Sequence, residues 1–321
     1  MVTVIDVAKK AGVSPSTVSR YIRTPGVVSA AKAVKIQEAI RELGYSPNLG
    51  ASILKSNESN LVGIVIPNTY NYLFTTIVNN LSIALKEKNK KLIVLYSTDF
   101  SEMKEHIKTL ISLQCKSIIY IPERTSRTIS TYTTNNDIYL LQLFISASNN
   151  NDAIIIDDVQ GAYMAAKTLI RHGHKNIVLV DGDNEVFLKR KEGIMKAFSE
   201  SKIEFDEKKN TCPLEPNVDV ISAVRNHVYK YSNTAIIAVT EIIAQQVCLA
   251  LQQIGKNIPD DISLVVYDDS PWAQLSDFSA IGHPIPDLIN NIINKLLDKD
   301  TKPETITLPP ILLNRGSIKE V

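Results

Sequence analysis

Cysteine is scarce in this chain. Cys115, Cys212 and Cys248 are the whole complement, odd in number and far apart. They form neither a C-x-x-C pair nor a zinc-ligand spacing, so a disulfide scaffold and a cysteine metal site are excluded. A reducing cytosol is the compartment that fits. Long apolar runs are missing too: no window approaches the roughly 18 unbroken apolar residues of a membrane span, and no membrane partner is expected. Met1-Val2-Thr3-Val4-Ile5-Asp6 carries no basic leader ahead of an apolar stretch, so export is not expected. Several catalytic signatures are absent. There is no G-x-G-x-x-G, no G-x-x-x-x-G-K-[ST], no G-x-S-x-G and no H-E-x-x-H. Dinucleotide binding, P-loop phosphate chemistry, the serine-hydrolase elbow and zinc peptidase chemistry lose their usual sequence support.

Net charge is also nearly missing, at +1 from 35 Lys and Arg against 34 Asp and Glu. The balance hides a division. Residues 1–60 hold eight basic residues against four acidic ones, or +4, and the rest of the chain holds 27 against 30, or −3. A basic head on a mildly acidic body points to a polyanion met by the head alone. The 321 residues suit about two domains.

The head reads as helices. Thr3 offers a capping hydroxyl with Asp6 three residues on, and Val4, Val7, Ala8 and Ala11 then share one face. Gly12 stops that helix. Ser14-Pro15 starts a second, running to about Arg23, because serine caps well and proline suits the first helical position. Thr24-Pro25-Gly26 breaks it. A third helix over about 30–43 takes Ser29 as its cap, Val34, Ile36, Ile40 and Leu43 as core contacts, and Gly44 as its stop. Two helices joined by Gly12-Val13-Ser14 match a helix-turn-helix unit. The second helix would present Pro15, Ser16, Thr17, Ser19 and Arg20 to phosphates and base edges, with Arg20 able to fork onto guanine. The same pattern also suits a plain structural hairpin with a solvated face.

From Leu61 the pattern changes. Leu61–Ile66 is a buried strand, and Leu92–Tyr96, Ser117–Ile121, Ala153–Ile156, Asn176–Val180, Ala235–Val239 and Leu264–Tyr267 follow, with helical stretches between most of them. This alternation predicts parallel sheets of βαβ units, in two runs, the second starting near Asp157. Two open subdomains would face a cleft, with ligands beyond the carboxyl ends of the strands. Asp157-Asp158 and Asp268-Asp269 are carboxylate pairs at strand ends, and His172-Gly173-His174 sets two imidazoles close together. Neither brings a nucleophile or a completed metal set, so no catalytic residue, metal or cofactor is expected.

These residues also carry a resemblance. Thr3 to Arg20, Glu38 to Asn48, Leu169 to Ile177, Arg190 with Gly193, Pro259 to Asp269 and Arg315-Gly316-Ser317 closely resemble, in order, the blocks of the lactose-repressor (LacI/GalR) family of bacterial regulators. The resemblance implies a small all-α helix-turn-helix head on an α/β periplasmic-binding-protein-like body of two parallel-sheet subdomains. It implies a head over 1–45, a hinge helix and linker over 46–60, and a body over 61–321. The first subdomain would take about 61–156 plus 286–312, and the second about 157–285. It further implies a cytoplasmic, nucleoid-associated homodimer that binds near-palindromic operator DNA under control of a sugar-like effector. The DNA-contacting set becomes Thr3, Ser14, Pro15, Ser16, Thr17, Ser19 and Arg20, with Leu54 as a minor-groove wedge and Lys55 beside it. The effector set becomes Phe74, Arg190, Thr240, Asp268 and His283. Arg190 and Asp268 would otherwise be a salt bridge within the second subdomain, Phe74 a core aromatic, and Trp272 either packing or part of the cleft mouth.

Departures from the family pattern matter. Ala30 and Ala31 stand where acidic residues are usual, each forgoing about 0.3–1 kcal/mol at a helix N-terminus. Gly50 weakens a hinge helix by about 1 kcal/mol relative to alanine. Thr240-Glu241 replaces Asn-Asp, and His283 replaces Gln, so the polyol-binding set is half retained. The remaining alternative is a soluble sugar-binding or catalytic α/β protein whose head serves another purpose.

Overall fold

The computed structural model describes residues 2–46, 59–67, 70–122, 138–182, 185–215, 218–298 and 302–321. The hinge segment 47–55, with Leu54 and Lys55, lies outside the described residues. The chain separates into two compact units, 1–59 and 60–321.

In the first unit α1 (Val4–Ala11) opens on a reciprocal cap: Thr3 Oγ1 accepts from the Asp6 amide, and the Thr3 amide donates to Asp6 Oδ2 at 2.8 Å. Gly12 closes it at φ +64°, a left-handed conformation that costs glycine little. Ser14 then caps α2 (Pro15–Arg23), accepting from the Thr17 amide at 3.2 Å. A single 3-10 turn over Pro25–Val27 leads to α3 (Ala30–Leu43). Ser29 stands at its N-cap without a side-chain hydrogen bond, so this helix starts with neither a capping hydroxyl nor an acidic first turn. Val7, Ala8, Ala11, Val18, Ile36 and Ala39 form the small core. Val34 is 54 % exposed, against expectation. It sits two residues before Ile36, about 200° around the helix, so both cannot face inward. Ala39 takes the place.

The second unit alternates strand and helix. β1 (Leu61–Ile66), α4 (Tyr72–Glu87), β2 (Lys91–Tyr96), α5 (Phe100–Ser112), β3 (Ser117–Tyr120), β4 (Tyr139–Leu143) and β5 (Asp152–Ile156) build the first subdomain. The second contains α6 (Asp158–Arg171), β6 (Ile177–Gly182), α7 (Glu185–Glu200), α8 (Glu207–Asn210), β7 (Thr211–Leu214), α9 (Val220–Tyr231), β8 (Ala235–Ala238), α10 (Glu241–Gln253), β9 (Ser263–Tyr267), α11 (Pro271–Leu275) and β10 (Ser279–Gly282). The chain then returns through α12 (Ile285–Leu297) and β11 (Thr305–Leu308) to the first subdomain, and crosses again to β12 (Ile311–Leu313).

Two six-stranded sheets result. The first has the order β11-β5-β4-β3-β1-β2 and is parallel throughout. The second has the order β12-β10-β9-β8-β6-β7 and is parallel except for β12, which runs antiparallel to β10 with Ile281 opposite Leu312. Helices cover both faces, so β3, β8 and β9 are buried along their whole length, which explains their unbroken apolar runs. The expected subdomain boundary therefore needs a correction. Residues 311–321 belong with the second subdomain: Ser317 Oγ donates to the Leu264 carbonyl at 2.6 Å, and the Val321 amide donates to that of His172 at 3.0 Å.

In the second subdomain α6 and α7 pack unusually closely. A Cβ at Gly193 would run into the Val159 carbonyl oxygen and lie 2.8 Å from the Tyr163 nitrogen. This glycine lets α7 lie against α6 and bring Arg190, one turn earlier, to its partners.

Candidate functional site

A cleft of about 880 Å³ lies between the two subdomains. Its lining follows the carboxyl ends of the strands: Pro67 after β1, Ser97 and Thr98 after β2, Ile121 after β3, Phe144 after β4, Asp158 after β5, Asp181 in β6, Thr240 after β8, Tyr267 and Asp268 at β9, and His283 after β10. Parallel strands direct their carboxyl ends to one rim, and two such rims facing each other make a ligand crevice.

All five residues expected to meet an effector, Phe74, Arg190, Thr240, Asp268 and His283, line this cleft. Phe74 stands in the first turn of α4, whose cap is Asn71 Oδ1 accepting from the Leu73 amide at 2.8 Å. It packs on Phe144 with ring centroids 6.3 Å apart, and Phe144 meets His283 edge-on at 6.0 Å. Arg190 is an ion-pair centre. Its Nε donates to Asp158 Oδ1 at 2.9 Å and its Nη1 to Asp181 Oδ2 at 3.2 Å. Its guanidinium carbon lies 4.2 Å from the centre of the Tyr267 ring. The salt bridge within the second subdomain is thus present, but with Asp158 and Asp181 rather than Asp268. Asp268 pairs with His283 instead, Oδ1 to Nε2 at 2.9 Å.

Burial sets the proton affinities here. Asp181 is pushed up to about 6 by burial, which the Arg190 charge and the Gly182 amide only partly offset. For Arg190 burial works against the charge, and the carboxylates of Asp158 and Asp181 more than reverse it. Burial likewise holds the Tyr267 phenol well above its usual range. Three non-glycine residues in the lining have positive φ: Phe144 at 65°, Thr240 at 70° and Asp268 at 70°. Each such backbone costs about 1–3 kcal/mol and persists where surroundings hold it, as at ligand sites.

The head presents a different surface. Ser14, Pro15, Ser16 and Arg20 are exposed, Thr17 and Ser19 half-buried, and Val18 points into the core. Ser14 Oγ sits 2.8 Å from both Ser16 Oγ and Thr17 Oγ1, a hydroxyl cluster at the start of α2. Thr3 is committed to its cap, with Oγ1 donating to Asp6 Oδ2 at 2.7 Å.

Residues 3–48 match the family model described as bacterial regulatory proteins, lacI family, and residues 166–318 match the periplasmic binding protein-like domain. The chain thus carries a lacI-type helix-turn-helix region and a periplasmic-binding-protein-like body. It is a DNA-binding transcriptional regulator. The HTH-type transcriptional repressor PurR of Vibrio atlanticus is 26% identical over 99% of both chains, and the ribose operon repressor of Lactococcus lactis 28% identical over 85% of this chain and 83% of that one. The lac repressor dimer bound to operator and an anti-inducer shares the fold, with a TM-score of 0.81 and 22% identity over 99% of each chain. The curated relatives named here are regulators of transcription, and family members bind DNA and small-molecule effectors. No helix among the described residues of the regulator is long and apolar enough to cross a membrane.

Other candidates of the regulator fall elsewhere. Trp272 does not line the cleft but packs on Phe278 at 5.2 Å. Asp157 caps α6, accepting from the Gln160 amide at 2.8 Å, and Asp269 accepts from Arg315 Nη2 at 2.7 Å. His172 Nδ1 lies 2.9 Å from the Thr168 carbonyl oxygen, and His174 bonds Thr234, Ser263 and the Lys319 carbonyl, so both imidazoles of the His-Gly-His segment hold structure. Sequence reasoning missed Asp181, Tyr267 and Phe144. The signal for Asp181 was its place one residue beyond the Asn176–Val180 run, at a strand's carboxyl end.

Proposed function

We propose that this regulator is a cytoplasmic repressor that binds near-palindromic operator DNA as a homodimer and senses a sugar-like effector in its cleft. Each head sets α2 in a major groove. Arg20 reads a base edge, while Ser14, Pro15, Ser16, Thr17 and Ser19 approach the groove and its phosphates, and Thr3 holds the first helix at the backbone. Leu54 and Lys55 are assigned to the minor groove on the sequence resemblance alone. In the body Phe74 stacks on the effector, and Arg190, Thr240, Asp268 and His283 meet its polar groups.

The observation that carries this reading is the convergence of all five expected effector residues on one cleft at the facing carboxyl ends of two sheets. A ligand gripped by both rims favours one angle between the subdomains, and a binding preference for one conformation is all that control of DNA affinity requires. Fluorescence anisotropy with duplexes from the regulator's own promoter region tests it. Tight binding that weakens steeply with salt and is altered by one member of a sugar panel is the expected result. Affinity for every duplex that stays at the nonspecific level, with no response to any sugar, would overturn it.

A further inference from the structure

The two walls of the cleft differ in charge. The first subdomain's wall combines apolar Phe74, Ile121 and Phe144 with neutral polar Asn71, Ser97 and Thr98, and none of the described lining residues on that side is charged. The second subdomain's wall carries four carboxylates, Asp158, Asp181, Glu185 and Asp268, against one guanidinium, Arg190, and one imidazole, His283. The guanidinium already donates to two of the carboxylates.

Two deeply buried polar atoms on this wall find no hydrogen-bond partner among the described residues, His283 Nδ1 and Tyr267 Oη. Tyr267 is 2 % exposed and the His283 side chain 7 %. His283 Nε2 is committed to the Asp268 carboxylate at 2.9 Å. The wall therefore offers acceptors and negative charge, and lacks an uncommitted strong cation among the described residues. A phosphate or carboxylate would enter against this field. A protonated amine would be drawn by it, donating to the carboxylates while an apolar or sugar-ring face lies against Phe74 and Phe144.

We infer that the effector of this cleft carries a primary ammonium group on a hydroxylated frame, the chemistry of an amino sugar or aminopolyol, and that phosphorylated sugars are excluded. This rests on the reading of the cleft as the effector site.

Calorimetry and thermal shift on the full-length protein test it with matched triplets: glucose, glucosamine and a glucose phosphate, with the galactose and mannose counterparts, and putrescine as an amine without hydroxyls. The expected result is one amino sugar that binds about tenfold or more tighter than its neutral partner, the worth of one charge-assisted hydrogen bond. That preference falls with added salt and shrinks in Glu185→Gln, and putrescine binds more weakly. A neutral sugar that binds as tightly as its amino partner, binding of any sugar phosphate, or no binding by any amino sugar overturns the inference. Putrescine binding as tightly as the best amino sugar removes the hydroxylated frame and overturns it as well. The sensor reading is judged separately, by release or capture of operator DNA. An amino sugar that binds without changing DNA affinity sinks the sensor reading alone, and a neutral sugar that changes it sinks this inference alone.

Discussion

Replacing Arg190 by alanine strips the countercharge from two carboxylates that the fold has taken out of water. The side chains of Arg190, Asp158 and Asp181 are 11 %, 7 % and 5 % exposed. Breaking a buried pair by removing one partner costs about 3–5 kcal/mol, because the remaining charge is left without compensation. The cost depends on pH, and its sign follows from Asp181. With Arg190 in place this carboxyl already stands at about 6, above its unfolded value of 3.8. The native state then holds a proton that the unfolded chain has released. Its contribution is fully present below the unfolded value and is lost as pH rises through about 6, leaving the protein about 3 kcal/mol less favoured above that window than below it. Without Arg190 the carboxyl rises further and the window extends upward, at about 1.4 kcal/mol for each additional pH unit. Urea unfolding followed through Trp272, the chain's single tryptophan, reads the subdomain that contains Arg190. Arg190→Ala is expected to lose about 3–5 kcal/mol near pH 8 and less than half of that near pH 5. Adding Asp181→Asn should recover part of the loss near pH 8. An equal loss at both pH values would refute the reasoning, since it would show that no buried carboxylate had been waiting for a proton.

Further expectations concern both units. Arg20→Ala should weaken operator binding by about 1–3 kcal/mol while leaving a scrambled duplex nearly unaffected, as anisotropy would show; an equal fall on both duplexes would reduce Arg20 to a phosphate contact. Asp268→Ala should leave operator affinity intact and abolish the effector response, and unchanged effector binding by calorimetry would remove it from the site. Gly193→Ala should cost about 1–3 kcal/mol by forcing α7 away from the Val159 carbonyl, and a melting temperature equal to wild type would show that the helices yield freely. Lys295 is 7 % exposed and bonded to Asp152 at 3.0 Å and Glu304 at 2.7 Å, so Lys295→Ala should cost about 3 kcal/mol in urea unfolding.

Local and periodic features could be read from the residues alone. Thr3 with Asp6, Gly12, and Ser14 with Pro15 set the ends of the first two helices, because a cap is satisfied within three or four residues of itself. The runs at Leu61–Ile66 and Ala235–Val239 marked central strands, because a strand covered on both faces has no polar side to show. The linear blocks of the family were sufficient to name five cleft residues without any knowledge of where the cleft lay. Which charges meet depended on the packing of distant segments. Asp158, Asp181 and Arg190 come from β5's exit, β6 and α7, and nothing in their spacing says that one guanidinium will bridge both carboxylates. The edge strands β7 and β12 escaped for a related reason: Thr211–Leu214 holds a proline and Ile311–Leu313 is three residues long, so their pairing depends on neighbours far along the chain. The same holds for Trp272, whose partner Phe278 lies across a short helix and turns it away from the cleft. Local capping and periodicity are written in neighbouring residues, whereas the electrostatics of a cleft exist only once distant segments have been packed into a medium that cannot screen them.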